Sequence, residues 1–329
     1  MTLHIPVLLK EMLAALRPRG ECAYLDATFG GGGYAEAILE AADCRVIGMD
    51  RDPDAIARGQ ALEGFYGRRL RLIEGRFGDM DKLVAERVDG VVLDLGVSSF
   101  QLDEAARGFS FRFDAPLDMR MGRDGPTAAE AVNKLSETAL ADVLFFLGEE
   151  SAARRIARAL VQERARAPIE TTKQLADAVE RAVGGRHGAK IHPATQSFQA
   201  LRLLVNNELE ELAAGLAAAE RILAPGGALV VVSFHSLEDR LVKTFFAERS
   251  GAREGGSRHM PEAPAGPAAT FDTPVRKGVG PSEAEARANP RARSAHLRWA
   301  VRTQAPAQGR FAGPALALRA VREWEALAR

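Results

Sequence analysis

Residues 26–36 read DATFGGGGYAE, four consecutive glycines between an apolar run and a helix-like stretch. Glycine accepts positive φ and lets a ligand approach the main chain, at an entropic cost on folding. Four together exceed what an ordinary turn requires. They point to a phosphate, a dinucleotide or a nucleoside-bearing cofactor, and the flanking residues have to choose. Working outward, CAYLDATF before the glycines is a buried-type strand and YAEAILEAA after them has helical spacing. CRVIGMD, LRLIEGRF and VDGVVLDLGVSS supply three more strands, and PDAIARGQALE a helix opening with Pro53, whose fixed φ suits a first turn. Near-continuous Val, Ile and Leu without polar alternation indicates strands covered on both faces. The alternation of strand and helix predicts an α/β fold around a doubly wound, mainly parallel sheet.

From about 104 to 212 that rhythm stops. Thr127 to Glu130 and Thr171 to Gln174 have capping-box spacing, and SETALADVLFFLG and the Arg-rich EESAARRIARALVQERARAP read as helices. An all-helical domain at 104–212 is therefore expected, inserted between 1–103 and 213–303 of the sheet domain. Strand material returns with ERILAPGGALVVVSFHSLED, read as a helix, a Pro-Gly-Gly turn and a buried strand. SAHLRWAVRT reads as a final edge or antiparallel strand, and about 250–292 as mostly loop. Residues 304–329 are a linker and a terminal helix with Ala317, Val321, Trp324 and Leu327 on one stripe. Phe109, Phe111 and Phe113 share a period-two face, expected to be core at the domain junction.

Lys+Arg and Asp+Glu both number 44, so no global basic excess marks a nucleic-acid protein, although a local patch can still serve. The 47% hydrophobic and 27% charged content suits a soluble protein with a real core. Cys22 and Cys44 lie in no CxxC or Cys/His pattern and the histidines are scattered. Neither a metal site nor a disulfide framework is expected, and a reducing cytoplasm fits. No leader pattern opens the chain, and the apolar run near 228–234 is too short to span a bilayer.

A P-loop needs Lys-Ser/Thr after its glycines, but Tyr34, Ala35 and Glu36 follow here. Gly30, Gly32 and Ala35 do meet dinucleotide spacing, with Asp50 at the end of the second strand. Asp26, however, ends the first strand just ahead of the glycines. It would repel a pyrophosphate but suits the ammonium and sulfonium of S-adenosylmethionine. Asp94 ends the fourth strand, where open α/β sheets bind ligands. The set favours S-adenosylmethionine.

HIPVLLKE, DATFGGGGY, LDLGVSSFQLD, HPATQSFQALRLLVNNELEEL, SFHSLEDRLVK and NPRARSAHLR together resemble the bacterial 16S ribosomal RNA cytosine-N4 methyltransferase family, from His4 to about Thr303. The resemblance implies a Rossmann-like methyltransferase with a helical insertion after the fourth strand. It also implies 16S rRNA within the small ribosomal subunit as substrate, near the decoding site; monomer and homodimer both stay open. By the same resemblance, S-adenosylmethionine contacts fall on Gly32, Gly33, Tyr34, Asp50, Phe77, Asp94 and Gln101. Many members carry His where this chain has Tyr34, so a main-chain contact is expected there.

The lone pair of a cytosine 4-amino group is delocalised into the ring, so the enzyme has to align it and accept its hydrogen bonds. Alignment alone contributes several kcal/mol. The candidate catalytic groups are Asp94, Ser98 and His235. His235 is either the proton acceptor, as a group that titrates near neutrality, or a histidine that hydrogen-bonds its loop into shape. Arg154, Arg155, Arg158, Arg164 and Arg166 offer phosphate contacts or a solvated face. Arg291 and Arg293 offer phosphate binding or loop bracing.

Overall fold

The computed structural model describes residues 6–186, 191–251, 267–275, 277–312 and 319–327. His4, Ile5 and Ala317, invoked above, lie outside them. Two compact units form: Met1–Gly96 with Leu209–Pro314, and Val97–Glu208 with Ala315–Arg329.

The first unit is built on seven strands: β1 Ala23–Asp26, β2 Arg45–Asp50, β3 Leu70–Glu74, β4 Val88–Asp94, β5 Leu223–Ser233, β6 Phe271–Asp272 and β7 His296–Arg302. Their order is β3-β2-β1-β4-β5-β7-β6, with β3 through β5 parallel and β7 antiparallel to both neighbours. Every residue of β1 is buried, as its unbroken apolar run requires of a strand covered on both faces. Leu25, Met49, Leu93, Leu216, Val231 and Phe245 fill one face. Tyr24, Val46, Val92, Val230, Met12 and Ile38 fill the other. The strand order reverses between β1 and β4, which opens a crevice at their carboxyl ends.

Three local readings are refined. Pro225, Gly226 and Gly227 lie within the bounds of β5 but interrupt its pairing: the register against β4 jumps from Val88–Leu223 to Gly90–Ala228, with Gly226 at φ 85°. Of the two readings for β7, edge or antiparallel, the second holds: it runs antiparallel to β5, and β6 covers its outer side. The stretch expected to be mostly loop also holds a helix, Glu283–Ala288, which Ser282 caps through a hydrogen bond from the Glu285 amide; residues 252–266 lie outside the description.

The second unit is helical among its described residues, apart from an isolated bridge between Pro116 and Thr171. Its helices are Ser99–Asp103, Ala128–Lys134, Glu137–Phe146, Ala153–Arg164, Thr172–Val183, Ala194–Asn206 and Arg319–Leu327. Thr127 with Glu130 and Thr171 with Gln174 form reciprocal capping boxes. The helical unit thus starts before residue 104 and includes the terminal helix that the sequence reading sets apart. Glu323 Oε2 accepts a 2.8 Å hydrogen bond from Ser136 Oγ, and Trp324 is buried. The phenylalanine stripe is absent, because no strand forms there. Phe109 is buried and Phe111 packs edge-on against Phe198, but Phe113 is 57% exposed.

Candidate functional site

The glycine loop turns out of β1 and starts the helix Gly33–Ala41. Gly30 and Gly32 have φ of 54° and 80°, the left-handed region that side chains resist. Two of the four glycines are also demanded by protein neighbours. A Cβ on Gly32 would come within 2.7 Å of the Phe29 ring, and one on Gly33 within 2.5 Å of Pro6. Close approach by a ligand therefore explains only part of the glycine run.

The three strand-end acids are differently employed. Asp26, 1% exposed, accepts from the amides of Thr28 (3.4 Å) and Ala35 (3.1 Å), and so braces the loop from beneath. Asp50 accepts from Gly30 at 2.7 Å and Asp52 at 2.8 Å. Asp94 is anchored through its amide, which donates to Thr28 Oγ1 at 2.6 Å. Its carboxylate is different: Oδ1 is sealed from solvent and has no hydrogen-bond partner among the described residues. A buried polar atom left without a partner is costly unless a ligand completes it. This oxygen sits at the end of β4, where the strand order reverses.

Burial dominates the electrostatics. It lifts the Asp26 carboxyl from 3.8 to about 7, helped by the Asp50 charge and opposed by the Thr28 and Ala35 amides. Burial likewise raises Asp50, against the Asp52 and Gly30 amides. Asp94 is raised well above its ordinary value by burial first, then by the charges of Asp26 and Glu238. Such a cluster resists holding several negative charges unless a cation joins it, as the sulfonium and ammonium of S-adenosylmethionine would. The residues fit that group.

A pH dependence follows. Because the Asp26 pKa is raised, its contribution to stability is full below pH 4 and is lost as pH rises towards 7. A bound cation favours the ionised forms and offsets that loss. The thermal stabilisation by S-adenosylmethionine should grow between pH 5 and 8, and grow less for the uncharged thioether S-adenosylhomocysteine. Equal pH slopes for the two ligands would refute the coupling.

The remaining candidates divide between the units. Phe77 opens a 3₁₀ turn after β3, half-buried, and leaves no room for a side chain at Gly215. Tyr34 is buried, and its hydroxyl donates to the Val7 carbonyl rather than standing free for a ligand. His235 is the N-cap of the helix Ser236–Arg249: Nδ1 accepts from the Glu238 amide at 3.5 Å, and the Glu238 carboxylate reaches back to the His235 amide at 3.3 Å. His235 Nε2 is sealed, 2.9 Å from Glu238 Oε1 but without hydrogen-bond geometry. Ser98 and Gln101 belong to the helical unit, where they form the capping box of the helix Ser99–Asp103.

Sequence reasoning passed over Thr28 and Glu238. Thr28 lies inside the quoted stretch, but its bond to the Asp94 amide spans 66 residues and has no local signal. Glu238 does have capping-box spacing; it escaped notice because the cap is a histidine rather than Ser or Thr. Of the described residues, no group of His, Cys, Asp and Glu could hold a metal ion, and no helix is long and apolar enough to cross a membrane.

Residues 1–303 match the model of the MraW methylase family. The chain is 60% identical over 308 residues to the ribosomal RNA small subunit methyltransferase H of Hyphomonas neptunium, covering 92% of this chain and 90% of that one. It is 56% identical over 309 residues to the protein of the same name from Paramagnetospirillum magneticum, covering 92% of this chain and 97% of that one.

Proposed function

Because the chain belongs to the MraW methylase family, we propose that it methylates the 4-amino group of a cytosine in 16S rRNA of the small ribosomal subunit, using S-adenosylmethionine. The observation that carries the site assignment is the sealed, unpartnered Asp94 Oδ1 at the switch point of the sheet. S-adenosylmethionine supplies an electrophilic methyl group; Gly32, Gly33, Asp50 and Phe77 would hold it, together with Asp94. Asp94 Oδ1 accepts a hydrogen bond from the amino group, which draws the nitrogen lone pair out of the ring. As the nitrogen–carbon bond forms, the methyl–sulfur bond would break with its electron pair left on the neutral thioether S-adenosylhomocysteine; the nitrogen sheds one proton, and a carboxylate with raised basicity is suited to take it. Thr28 keeps Asp94 in register by accepting from its amide.

His235 is assigned to holding its loop, since Nδ1 caps the helix and Nε2 is turned inward. His235→Asn, a good N-cap, should keep turnover within about threefold. A loss of about 100-fold, the low end for a general base, would make the imidazole the proton acceptor instead.

RNA recognition is assigned to the helical unit. Arg154, Arg155 and Arg158 are exposed there, whereas Arg164 is spent on the Val132 carbonyl at 2.6 Å. The proposed ribosomal substrate supports a cytoplasmic location. The test incubates the protein with methyl-labelled S-adenosylmethionine and small subunits from cells lacking the enzyme, and analyses nucleosides by mass spectrometry. N4-methylcytidine at one site is expected; cofactor binding without transfer to subunits would overturn the substrate assignment.

A further inference from the structure

The segment Pro6–Leu8 packs onto the start of the glycine-loop helix and is tied down from the far end of the chain. Pro6 lies against Gly33, where it leaves no room for a Cβ, and the Val7 carbonyl accepts from the Tyr34 hydroxyl. The Leu8 amide donates at 2.7 Å to Glu285 Oε1, a residue 277 positions later. Leu8 itself is fully buried and held at φ 54°, ψ 33°, a left-handed conformation that costs a non-glycine residue energy and persists only where its surroundings impose it. Glu285 is well placed to impose it: it sits in the first turn of the helix Glu283–Ala288, whose Ser282 cap fixes its backbone.

The glycine loop needs such support. Without side chains at Gly30 to Gly33 it holds itself by main-chain bonds alone, such as the Gly32 amide to the Phe29 carbonyl at 2.7 Å, and two of these residues are in the left-handed region. Asp26 and Asp50 brace it through the Ala35 and Gly30 amides. Pro6 and Val7 press on Gly33 and Tyr34, the next two residues, from another element. We propose that Pro6–Leu8 is a clasp that fixes the glycine loop in its cofactor-binding form, and that Glu285 is the positioning residue that closes it. This rests on the reading of the loop as the S-adenosylmethionine site. Tyr34 then serves that site through its hydroxyl bond to the clasp.

The experiment measures S-adenosylmethionine affinity by calorimetry and turnover on small subunits for four variants. Glu285→Ala removes the acceptor of the Leu8 amide and should raise Kd about tenfold, the scale of one charge-assisted hydrogen bond. At saturating cofactor its kcat should stay within twofold. Glu285→Gln keeps an oxygen acceptor and should restore most of the affinity. Tyr34→Phe should weaken binding in the same way. The double variant Glu285→Ala/Tyr34→Phe should be little worse than the weaker single, because both act through one segment. An unchanged Kd in Glu285→Ala, an equal loss in Glu285→Gln, or additive losses would each overturn the clasp. Failure of the unmodified protein to bind S-adenosylmethionine would instead refute the cofactor-site reading.

Discussion

Asp94→Asn should lower kcat on small ribosomal subunits about 10³-fold, within the span of a general base, with the fold intact. The substitution keeps the shape of the side chain and the amide bond to Thr28, which is made by the main chain. What it removes is specific. Among the described residues Asp94 Oδ1 is a strand-end acceptor with no hydrogen-bond partner, and its carboxyl is held basic by burial and by Asp26 and Glu238. An amide in its place neither takes a proton nor balances a cation. Single-turnover transfer of labelled methyl separates this from binding, because the loss should appear in the chemical step. S-adenosylmethionine affinity, measured apart, should fall far less. A kcat within tenfold of the unmodified enzyme would show that another group accepts from the amine.

The sheet was legible because its signal is local. Runs such as VVLD and RVIGMD carry β-branched and aliphatic residues without alternation, and only a strand covered on both faces needs that. The acids at the ends of those runs were legible for the same reason, since the strand boundary fixes their place. The glycine run was legible only in part. That Gly32 faces the Phe29 ring depends on how the loop folds back on itself, and that Gly33 faces Pro6 depends on packing against a separate segment, neither of which spacing reveals. Tyr34 shows the same limit: its hydroxyl bonds a carbonyl 27 residues earlier. Ser98 and Gln101 also carry a visible local signal, capping-box spacing, and the structure forms that cap. For β7 the edge alternative stays open in the sequence because its cover, β6, is two residues long and too short to register as a strand.

The second large effect lies away from the chemistry. Glu220 and Arg249 are 0% and 2% exposed and form an ion pair at 3.2 Å. Glu220 Oε1 also accepts from the Gln308 amide at 3.2 Å, and the Glu220 carbonyl accepts from Arg302 Nε at 2.9 Å. The Arg249 guanidinium lies 5.4 Å from the Phe245 ring centroid and 5.9 Å from that of Phe311. One pair thus joins the helices Glu208–Ile222 and Ser236–Arg249 to the segment that follows β7. Glu220→Ala leaves the buried Arg249 guanidinium with the half-exposed Glu248 carboxylate and the Gln308 and Gly309 oxygens as its remaining partners, and strips the Gln308 amide of its acceptor, a loss of about 3 kcal/mol, the low end for breaking a buried pair. Urea unfolding should show it as a lower midpoint for the sheet unit. The double variant Glu220→Leu/Arg249→Met should recover much of the loss, because two apolar side chains need no partner. A single-variant loss under about 1 kcal/mol, the scale of an exposed pair, would show that Glu248 or water takes over the guanidinium. Where the protein stays folded, kcat should be nearly unchanged. Arg302 belongs to the end of β7 that pairs near Ala228, whereas the functional end of the sheet is at Ser233 and His296. A large fall in kcat in a folded Glu220→Ala protein would therefore mean that strain travels the length of β5.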